Sequence, residues 1–247
     1  MPTLKHLLFQ QLRNTIATLL PCTCVLCRQT CATLICPGCH QQFFNDISSR
    51  CIQCAIPLAG TQSNQQCGDC LSSKPNFDHT VVVCNYVAPI DQLILAYKFG
   101  HRLPIANLFS NMLLDAILKE HQQSLCDLLC PVPLGKMRLW ERGYNQSLEI
   151  AKPLSHHLGV ALSPQLLRRS RDTARQSSLH PDDRHKNVRN AFTIDSATIE
   201  LIRGKHIGVV DDVMTTGTTL NEIAGLLKRF GATKVSNYVF ARTPLHP

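Results

Sequence analysis

The chain has 247 residues, of which 44% are hydrophobic and 17% are charged. This length and composition exclude a wholly disordered chain and suit one domain of ordinary size with a small additional module. Lys and Arg exceed Asp and Glu by 25 minus 17, or 8, so anionic partners are expected.

Residues 1–20 are predicted to form an amphipathic helix. Its apolar residues recur on one helix face, and they are Leu4, Leu7, Leu8, Leu12, Ile16, Leu19 and Leu20. Polar residues interrupt every apolar run before it reaches the length of a secretion signal or a membrane span. We therefore expect this helix to pack on the body of a cytoplasmic protein that has no membrane span.

Residues 21–75 are rich in cysteine. The chain has 13 cysteines, and eight of them form the pairs Cys24/Cys27, Cys36/Cys39, Cys51/Cys54 and Cys67/Cys70. Two C-x-x-C pairs complete one tetrahedral zinc site, so four pairs predict two zinc ions. The simplest partition is sequential, although an interleaved one uses the same residues. A disulfide scaffold is disfavoured because the cysteine count is odd and the partners lie too close in sequence.

This cysteine-rich module is predicted to be a structural clip. It has few large apolar residues, so metal binding is expected to supply its folding free energy, about 10 to 16 kcal/mol per ion in zinc-finger peptides. Nucleic acid or protein binding is an alternative, but the charge of the module is nearly balanced. A dithiol oxidoreductase is disfavoured because it needs one isolated pair ahead of a helix.

From residue 76 onward, short apolar runs alternate with amphipathic helical segments. Strands are predicted at 79–87, 126–133, 205–212 and 234–242, and helices at 89–99, 103–122, 145–158 and 220–229. Residues 133–142 are predicted to be a loop, in which Trp140 packs or stacks on a base. This order predicts an α/β domain with a mostly parallel sheet flanked by helices. In such sheets, ligands bind beyond the carboxyl ends of the strands.

The strand predicted at 205–212 ends in two acids, Asp211 and Asp212, and a loop rich in threonine follows. Adjacent carboxylates can accept hydrogen bonds from vicinal hydroxyls or face a magnesium ion through water. The loop offers backbone N–H groups and hydroxyls to an anion at the start of a helix, through Thr215, Thr216, Gly217, Thr218 and Thr219. Neither a Walker loop nor a dinucleotide-binding motif matches. The pattern predicts adjacent sites for a sugar and a phosphate.

The segment Val-Val-Asp-Asp-Val-Met-Thr-Thr-Gly-Thr-Thr at 209–219 resembles the phosphoribosyl diphosphate (PRPP) site of type I phosphoribosyltransferases. With the cysteine pairs, Tyr-Lys-Phe at 97–99, Pro-Val-Pro-Leu at 131–134 and Arg-Gly-Tyr-Asn-Gln-Ser at 142–147, the chain resembles the ComF/GntX family nearly from end to end. This resemblance implies a type I phosphoribosyltransferase-like α/β domain at 76–247, preceded by a double zinc ribbon at 21–75 and the helix at 1–20.

The resemblance also implies roles for individual residues. Asp211 and Asp212 would hold the ribose hydroxyls and magnesium, and residues 215–219 would enclose the 5′-phosphate. The pyrophosphate would face Lys136, Arg138 and Arg142. A mobile cover that contacts PRPP or nucleic acid would contain Arg168, Arg169, Arg171, Arg175, Gln176, Arg184, Asn187 and Arg189. An ordinary solvated face is the alternative for this last group.

Two functions follow from these expectations. Residues 134–189 hold 11 Lys and Arg against 5 Asp and Glu, which accounts for most of the net charge. The resemblance implies a protein that binds PRPP and single-stranded DNA, handles incoming DNA in the cytoplasm during natural transformation, and works with competence-machinery proteins. The alternative is an active phosphoribosyltransferase that moves ribose 5-phosphate onto an amine or base. No pocket for a base can be read from the sequence.

Overall fold

A computed structural model describes residues 22–45, 49–58, 65–100, 103–120, 124–170 and 191–244. The chain divides into two compact units, the first ending at Asp46 and the second beginning at Ile47. The helix predicted at 1–20 lies outside the described residues. Within them, no helix combines the length and the apolar character that crossing a bilayer requires.

The first unit is built around its cysteines. Strand β1 (Cys22–Thr23) pairs antiparallel with β2 (Thr30–Cys31), and helix α1 (Pro37–Phe44) follows. Helix α1 begins where the Cys36 sulfur accepts a hydrogen bond from the backbone N–H of Cys39. Proline suits the next position, because the missing N–H of a first-turn residue has no partner within a helix.

The second unit contains the remaining elements. In chain order they are α2 (Gly68–Ser73), β3 (His79–Asn85), α3 (Ile90–Phe99), α4 (Pro104–Lys119), β4 (Leu128–Pro131), α5 (Lys136–Arg142), α6 (Gln146–Leu158), β5 (Ala161–Leu162), β6 (Leu167–Arg169), β7 (Phe192–Ile194), a 3₁₀ helix (Ser196–Leu201), β8 (His206–Met214), α7 (Thr218–Arg229) and β9 (Lys234–Arg242). Five strands form a parallel sheet in the order β3-β9-β8-β4-β5, and β6 pairs antiparallel with β7.

The centre of the sheet is buried on both faces. In β9, every residue after Lys234 is buried, and the first five residues of β8 are buried as well. Continuous buried runs of mostly apolar residues are typical of parallel strands covered by helices on both sides. A Cβ on Gly208 would lie only 2.6 Å from the Tyr238 ring, so close packing at this point requires glycine. The predicted mostly parallel sheet flanked by helices is confirmed.

The prediction of a loop between β4 and α6 is wrong. Residues 133–142 were expected to be a loop, but Lys136–Arg142 form α5. Gly135 precedes this helix in an extended conformation, and Gly143 ends it with φ 76. The seven residues between these glycines are good helix formers, which explains the helix. Its consequence is that Arg138 and Arg142, four positions apart, lie on the same helix face.

Candidate functional site

The carboxyl ends of four parallel strands surround a cavity of about 550 Å³. Strand residues and the residues that follow the strands contribute Tyr86, Val132, Pro133, Leu134, Asp211, Asp212, Val213, Thr215 and Thr243. Helices contribute Leu95, Lys98, Phe99, Arg138, Glu141, Arg142, Gln146, Ser147 and Thr219, and β6 contributes Arg169. The predicted carboxylates and several predicted cations therefore face one cavity.

Both carboxylates of β8 have fixed partners. Asp212 is 6% exposed, and its Oδ2 lies 3.0 Å from the Nζ of Lys98 in α3. The Asp211 Oδ1 accepts hydrogen bonds from the Ser147 hydroxyl and from the backbone N–H of Asp212, each at 2.9 Å. Helices α3 and α6 thus orient the two acids towards the cavity.

Asp211 has a raised pKa. Burial raises the pKa of Asp211 to about 7, and the negative charge of Asp212 acts in the same direction. Lys98, the Ser147 hydroxyl and the Asp212 N–H oppose this rise because they favour the ionised form. A cation or hydroxyl donors in the cavity would stabilise the ionised carboxylate further.

The loop after β8 turns sharply into α7. Gly217 has φ 81, a conformation that side chains disfavour, and a Cβ there would lie 2.5 Å from the Met214 Cε. The hydroxyls of Thr216 and Thr218 lie 2.8 Å apart. Gly217 at the N-cap position has no side chain to cap α7, and the Thr218 N–H donates to the Thr216 hydroxyl at 3.4 Å. This helix end and the neighbouring hydroxyls can therefore donate hydrogen bonds to an anion.

Two predicted cations on α5 line the cavity. The Arg142 guanidinium donates to the Gln146 Oε1 at 2.9 Å and lies 5.2 Å from the centroid of the Phe99 ring. Arg138 lines the same wall. Lys136 lies at the exposed first position of α5 and does not line the cavity. Trp140 is 88% exposed. Of the two alternatives for this residue, packing against the protein is therefore wrong within the described part of the chain.

Of the two predicted cover residues that the structure describes, one lies at the cavity. Arg169 lines it and lies over the Phe192 ring, 5.5 Å from the centroid. Its neighbour Arg168 forms an ion pair with Asp195 at 2.6 Å instead. The other predicted residues lie outside the described part of the chain, and they are Arg171, Arg175, Gln176, Arg184, Asn187 and Arg189.

Sequence patterns did not assign a site role to several polar residues of the cavity, among them Lys98, Gln146 and Ser147. Lys98 belongs to the Tyr-Lys-Phe motif, and both Gln146 and Ser147 belong to the Arg-Gly-Tyr-Asn-Gln-Ser motif. Membership of these motifs was the sequence signal that could have identified the three residues as part of the site. Asn145 caps α6 by accepting from the Ser147 N–H at 3.1 Å, and the Ser147 hydroxyl donates to Asp211.

The eight paired cysteines form two separate tetrads. Cys24, Cys27, Cys36 and Cys39 make the first tetrad, and Cys51, Cys54, Cys67 and Cys70 make the second; within each, all sulfurs lie within 4.8 Å of one another. The sequential partition is therefore correct. Both tetrads could bind metal ions, and four converging thiols are the donor set that structural zinc prefers.

Backbone N–H groups favour the thiolate of one cysteine in each tetrad, whereas burial raises the pKa of Cys39 and Cys70. Burial opposes ionisation of Cys24, yet N–H groups that include those of Cys27 and Cys36 lower its pKa to about 6. In the second tetrad, burial likewise opposes ionisation of Cys51, but N–H groups that include those of Cys54 and Cys67 lower its pKa to about 7. Thiolates are the form that binds metal, so both tetrads fit a zinc ion.

Comparisons with known proteins agree with this geometry. The model of the phosphoribosyl transferase domain family matches residues 145–245. Solved structures show weaker likeness: glutamine PRPP amidotransferase from B. subtilis has a TM-score of 0.39 at 18% identity, covering 59% of this chain and 30% of that chain. A hypoxanthine phosphoribosyltransferase from Staphylococcus aureus has a TM-score of 0.36 at 16% identity, covering 59% and 77%. The match to the family model alone assigns a phosphoribosyltransferase domain to residues 145–245.

Its relatives are competence and DNA utilization proteins. The DNA utilization protein YhgH of Escherichia coli (strain K12) is 37% identical over 229 residues, which cover 90% of this chain and 98% of that protein. Competence protein F of Haemophilus influenzae is 33% identical over 211 residues, covering 84% and 90%. Competence protein ComFC of Bacillus subtilis is 26% identical over 243 residues, covering 85% and 95%. The chain belongs to this ComF family.

Proposed function

We propose that this protein binds PRPP with magnesium in the cavity at the carboxyl ends of its parallel sheet. One observation carries the proposal. A carboxylate pair, two threonines of the loop at a helix start (Thr215 and Thr219) and two arginines all line the same cavity. Ribose hydroxyls, a 5′-phosphate and a diphosphate need these three kinds of group side by side.

The proposed contacts follow the geometry of the cavity. Asp211 and Asp212 accept hydrogen bonds from the ribose hydroxyls, and residues 215–219 donate to the 5′-phosphate. Arg138 and Arg142 bind the diphosphate. Asp211 and Asp212 would also hold a magnesium ion, which would supply positive charge beside a bound diphosphate.

Lys98 is expected to respond to the ligand. Its ion pair with Asp212 neutralises the acid in the free protein. Because a bound magnesium ion would take over this neutralising role, the ammonium group becomes available for a diphosphate oxygen.

A titration that follows the fluorescence of Trp140 tests this site. Trp140 is the single tryptophan, and it lies exposed on α5 between Arg138 and Arg142. We expect saturable quenching by PRPP with magnesium, and at least a 100-fold loss of affinity in Asp212→Asn. Asp115→Asn, an exposed acid on α4, is the matched control and should bind normally. Equal affinity in both variants would contradict the assignment of the carboxylates.

We further propose that the protein binds single-stranded DNA and handles it in the cytoplasm, together with competence-machinery proteins. The names of its relatives, a DNA utilization protein and a competence protein, support DNA handling. The net charge of +8 supports an anionic partner. Arg138, Arg142 and Arg169 bring positive charge to one cavity, and the exposed Trp140 ring offers a face on which a base can stack.

Salt dependence tests DNA binding. With about 6 to 10 phosphate contacts, affinity for a short single strand should fall by roughly 10³ to 10⁵ between 50 and 200 mM salt. Filter binding over this range measures the slope. A flat response would remove the DNA proposal and leave the PRPP proposal intact.

An active phosphoribosyltransferase is the second candidate. The cavity favours it in one respect, since Leu95 and the half-exposed Phe99 ring give it an apolar wall beside the carboxylates. Such a wall suits a planar acceptor base. A screen for pyrophosphate release with bases, amines and oligonucleotides tests this activity. Release that depends on an acceptor would make PRPP a substrate, and binding without release would make it a ligand.

A further inference from the structure

The second cysteine tetrad is connected to the loop that follows β8 through one buried arginine. Arg242 ends β9 and is 5% exposed. Its Nε donates to the carbonyl of Cys54, a member of the tetrad, at 3.0 Å. Its Nη1 donates to the carbonyls of Met214, at 3.2 Å, and of Thr215. One guanidinium therefore holds a metal-ligand segment and the start of the loop together.

A second connection runs through Gln53, which lies between two cysteines of the tetrad. Its Nε2 donates to the carbonyl of Phe77 at 2.8 Å, and the Thr80 hydroxyl donates to the Gln53 carbonyl at 2.5 Å. The Phe77 ring lies where a Cβ on Gly217 would meet it at 3.8 Å. The segment 51–54 thus supports the same loop from two sides.

The positive charge of Arg242 explains why these contacts should depend on a metal ion in the second tetrad. Among the described residues, Arg242 forms no ion pair with a carboxylate, although it is buried. Burying an unpaired guanidinium is costly. Four thiolates around one Zn²⁺ carry net negative charge, and Cys54 is a direct neighbour of Arg242 through its carbonyl. The metal-loaded tetrad is therefore the counter-charge available to this arginine within the described chain.

We propose that Arg242 is a positioning residue through which metal loading of the second tetrad fixes the phosphate-binding loop at 215–219. Arg242 holds the loop through the Met214 and Thr215 carbonyls, and a metal ion in the tetrad fixes the Cys54 carbonyl that Arg242 also contacts. Loss of the metal frees the loop and weakens phosphate binding. The binding part of this inference rests on the proposed PRPP site, whereas the loop-ordering part does not.

Hydrogen exchange and PRPP binding of matched variants test the inference. Arg242→Lys keeps the charge but has a single nitrogen, which cannot bridge Cys54 and Thr215 as the guanidinium does. Cys67→Ser and Cys27→Ser each remove the most exposed thiol of one tetrad. We expect Arg242→Lys and Cys67→Ser to speed amide exchange in the loop about tenfold and to weaken PRPP binding about tenfold or more. Cys27→Ser should lose one zinc ion and change neither measurement.

Each outcome decides the inference. Unchanged loop exchange in folded Arg242→Lys and Cys67→Ser would overturn it, as would an equal effect of Cys27→Ser. If Arg242→Lys fails to fold, the two cysteine variants decide alone. If the wild-type protein binds no PRPP, the proposed function is lost, but loop exchange still decides whether the tetrad and Arg242 order the loop. Zinc content and circular dichroism establish that each variant is folded and metal-loaded as intended.

Discussion

The two cysteine tetrads have the same motif but different surroundings. The first belongs to a small unit with two short strands and one helix. The second belongs to the α/β unit, where Cys51, Cys54 and Cys70 are buried in one apolar cluster with Phe77 and Leu220. C-x-x-C spacing thus predicts a metal site, whereas the surrounding residues decide what the metal stabilises.

Removing the first thiol of each tetrad should give the largest difference between them. Cys51 and Cys24 are both 1% exposed. Because Cys51 lies in the core of the α/β unit, Cys51→Ser should lower the stability of that unit by about 3 kcal/mol or more, or its unfolding temperature by roughly 6 °C or more. Cys24→Ser should leave this transition unchanged. Differential scanning calorimetry measures it, and equal shifts would remove the contrast between the tetrads.

A glycine substitution sharpens the comparison at the loop beside the second tetrad. Gly217→Ala introduces a Cβ 2.5 Å from the Met214 Cε at φ 81, and we expect a loss of about 1 to 2 kcal/mol together with at least tenfold weaker PRPP binding. Gly159→Ala is the control, since it has φ 67 but no atom within 4 Å of a new Cβ. It should lose similar stability and bind PRPP normally. Normal PRPP binding by Gly217→Ala would contradict the proposal that this loop binds the ligand.

The pH dependence of stability tests the acid pair that precedes this loop. Burial raises the pKa of Asp211 to about 7 in the folded protein, so protons bind the folded state more tightly than the unfolded one. The free energy of unfolding should therefore fall as the pH rises from about 4 to 7. Asp211→Asn cannot ionise, so it should exceed the wild type in stability by about 1 to 2 kcal/mol at pH 8 and match it at pH 4.

Urea unfolding at the two pH values measures this difference. Asp115→Asn, on an exposed face of α4, is the control and should follow the wild type at both pH values. If Asp211→Asn is no more stable than the wild type at pH 8, the expected destabilisation by the ionised acid is contradicted. The ionised acid would then be well stabilised in the free protein.

The smallest expected effect distinguishes two adjacent arginines. Arg169 lines the cavity, and Arg168 pairs with Asp195. Arg169→Ala should weaken single-stranded DNA binding about threefold to tenfold and lower the salt slope by about one, because one phosphate contact is lost. Arg168→Ala should change binding less than twofold. Filter binding measures both, and equal losses would indicate a diffuse basic surface rather than a defined contact.

Sequence patterns predicted the parts of the fold that depend on local residues. Strand β9 was predicted at its observed bounds from its short run of mostly apolar residues, and the turn into α7 was predicted from the Thr/Gly loop. Helix α5 was missed because it has only seven residues, too few to show periodicity against its flanking glycines.

Contacts between distant segments could not be predicted in this way. Lys98 and Asp212 are 114 positions apart, and no spacing rule joins them. Arg242 reads as the polar end of a strand, whereas the structure buries it between Cys54 and Thr215. Such contacts depend on strand order, which places β9 between β3 and β8. Sequence spacing does not determine that order.

Calorimetric titration of the wild-type protein with PRPP and magnesium tests the central claim most directly. The account predicts saturable heat with one PRPP per chain, and no heat from Asp212→Asn under the same conditions. An absence of heat from folded wild-type protein at millimolar PRPP, or undiminished heat from the variant, would contradict the assignment of the cavity.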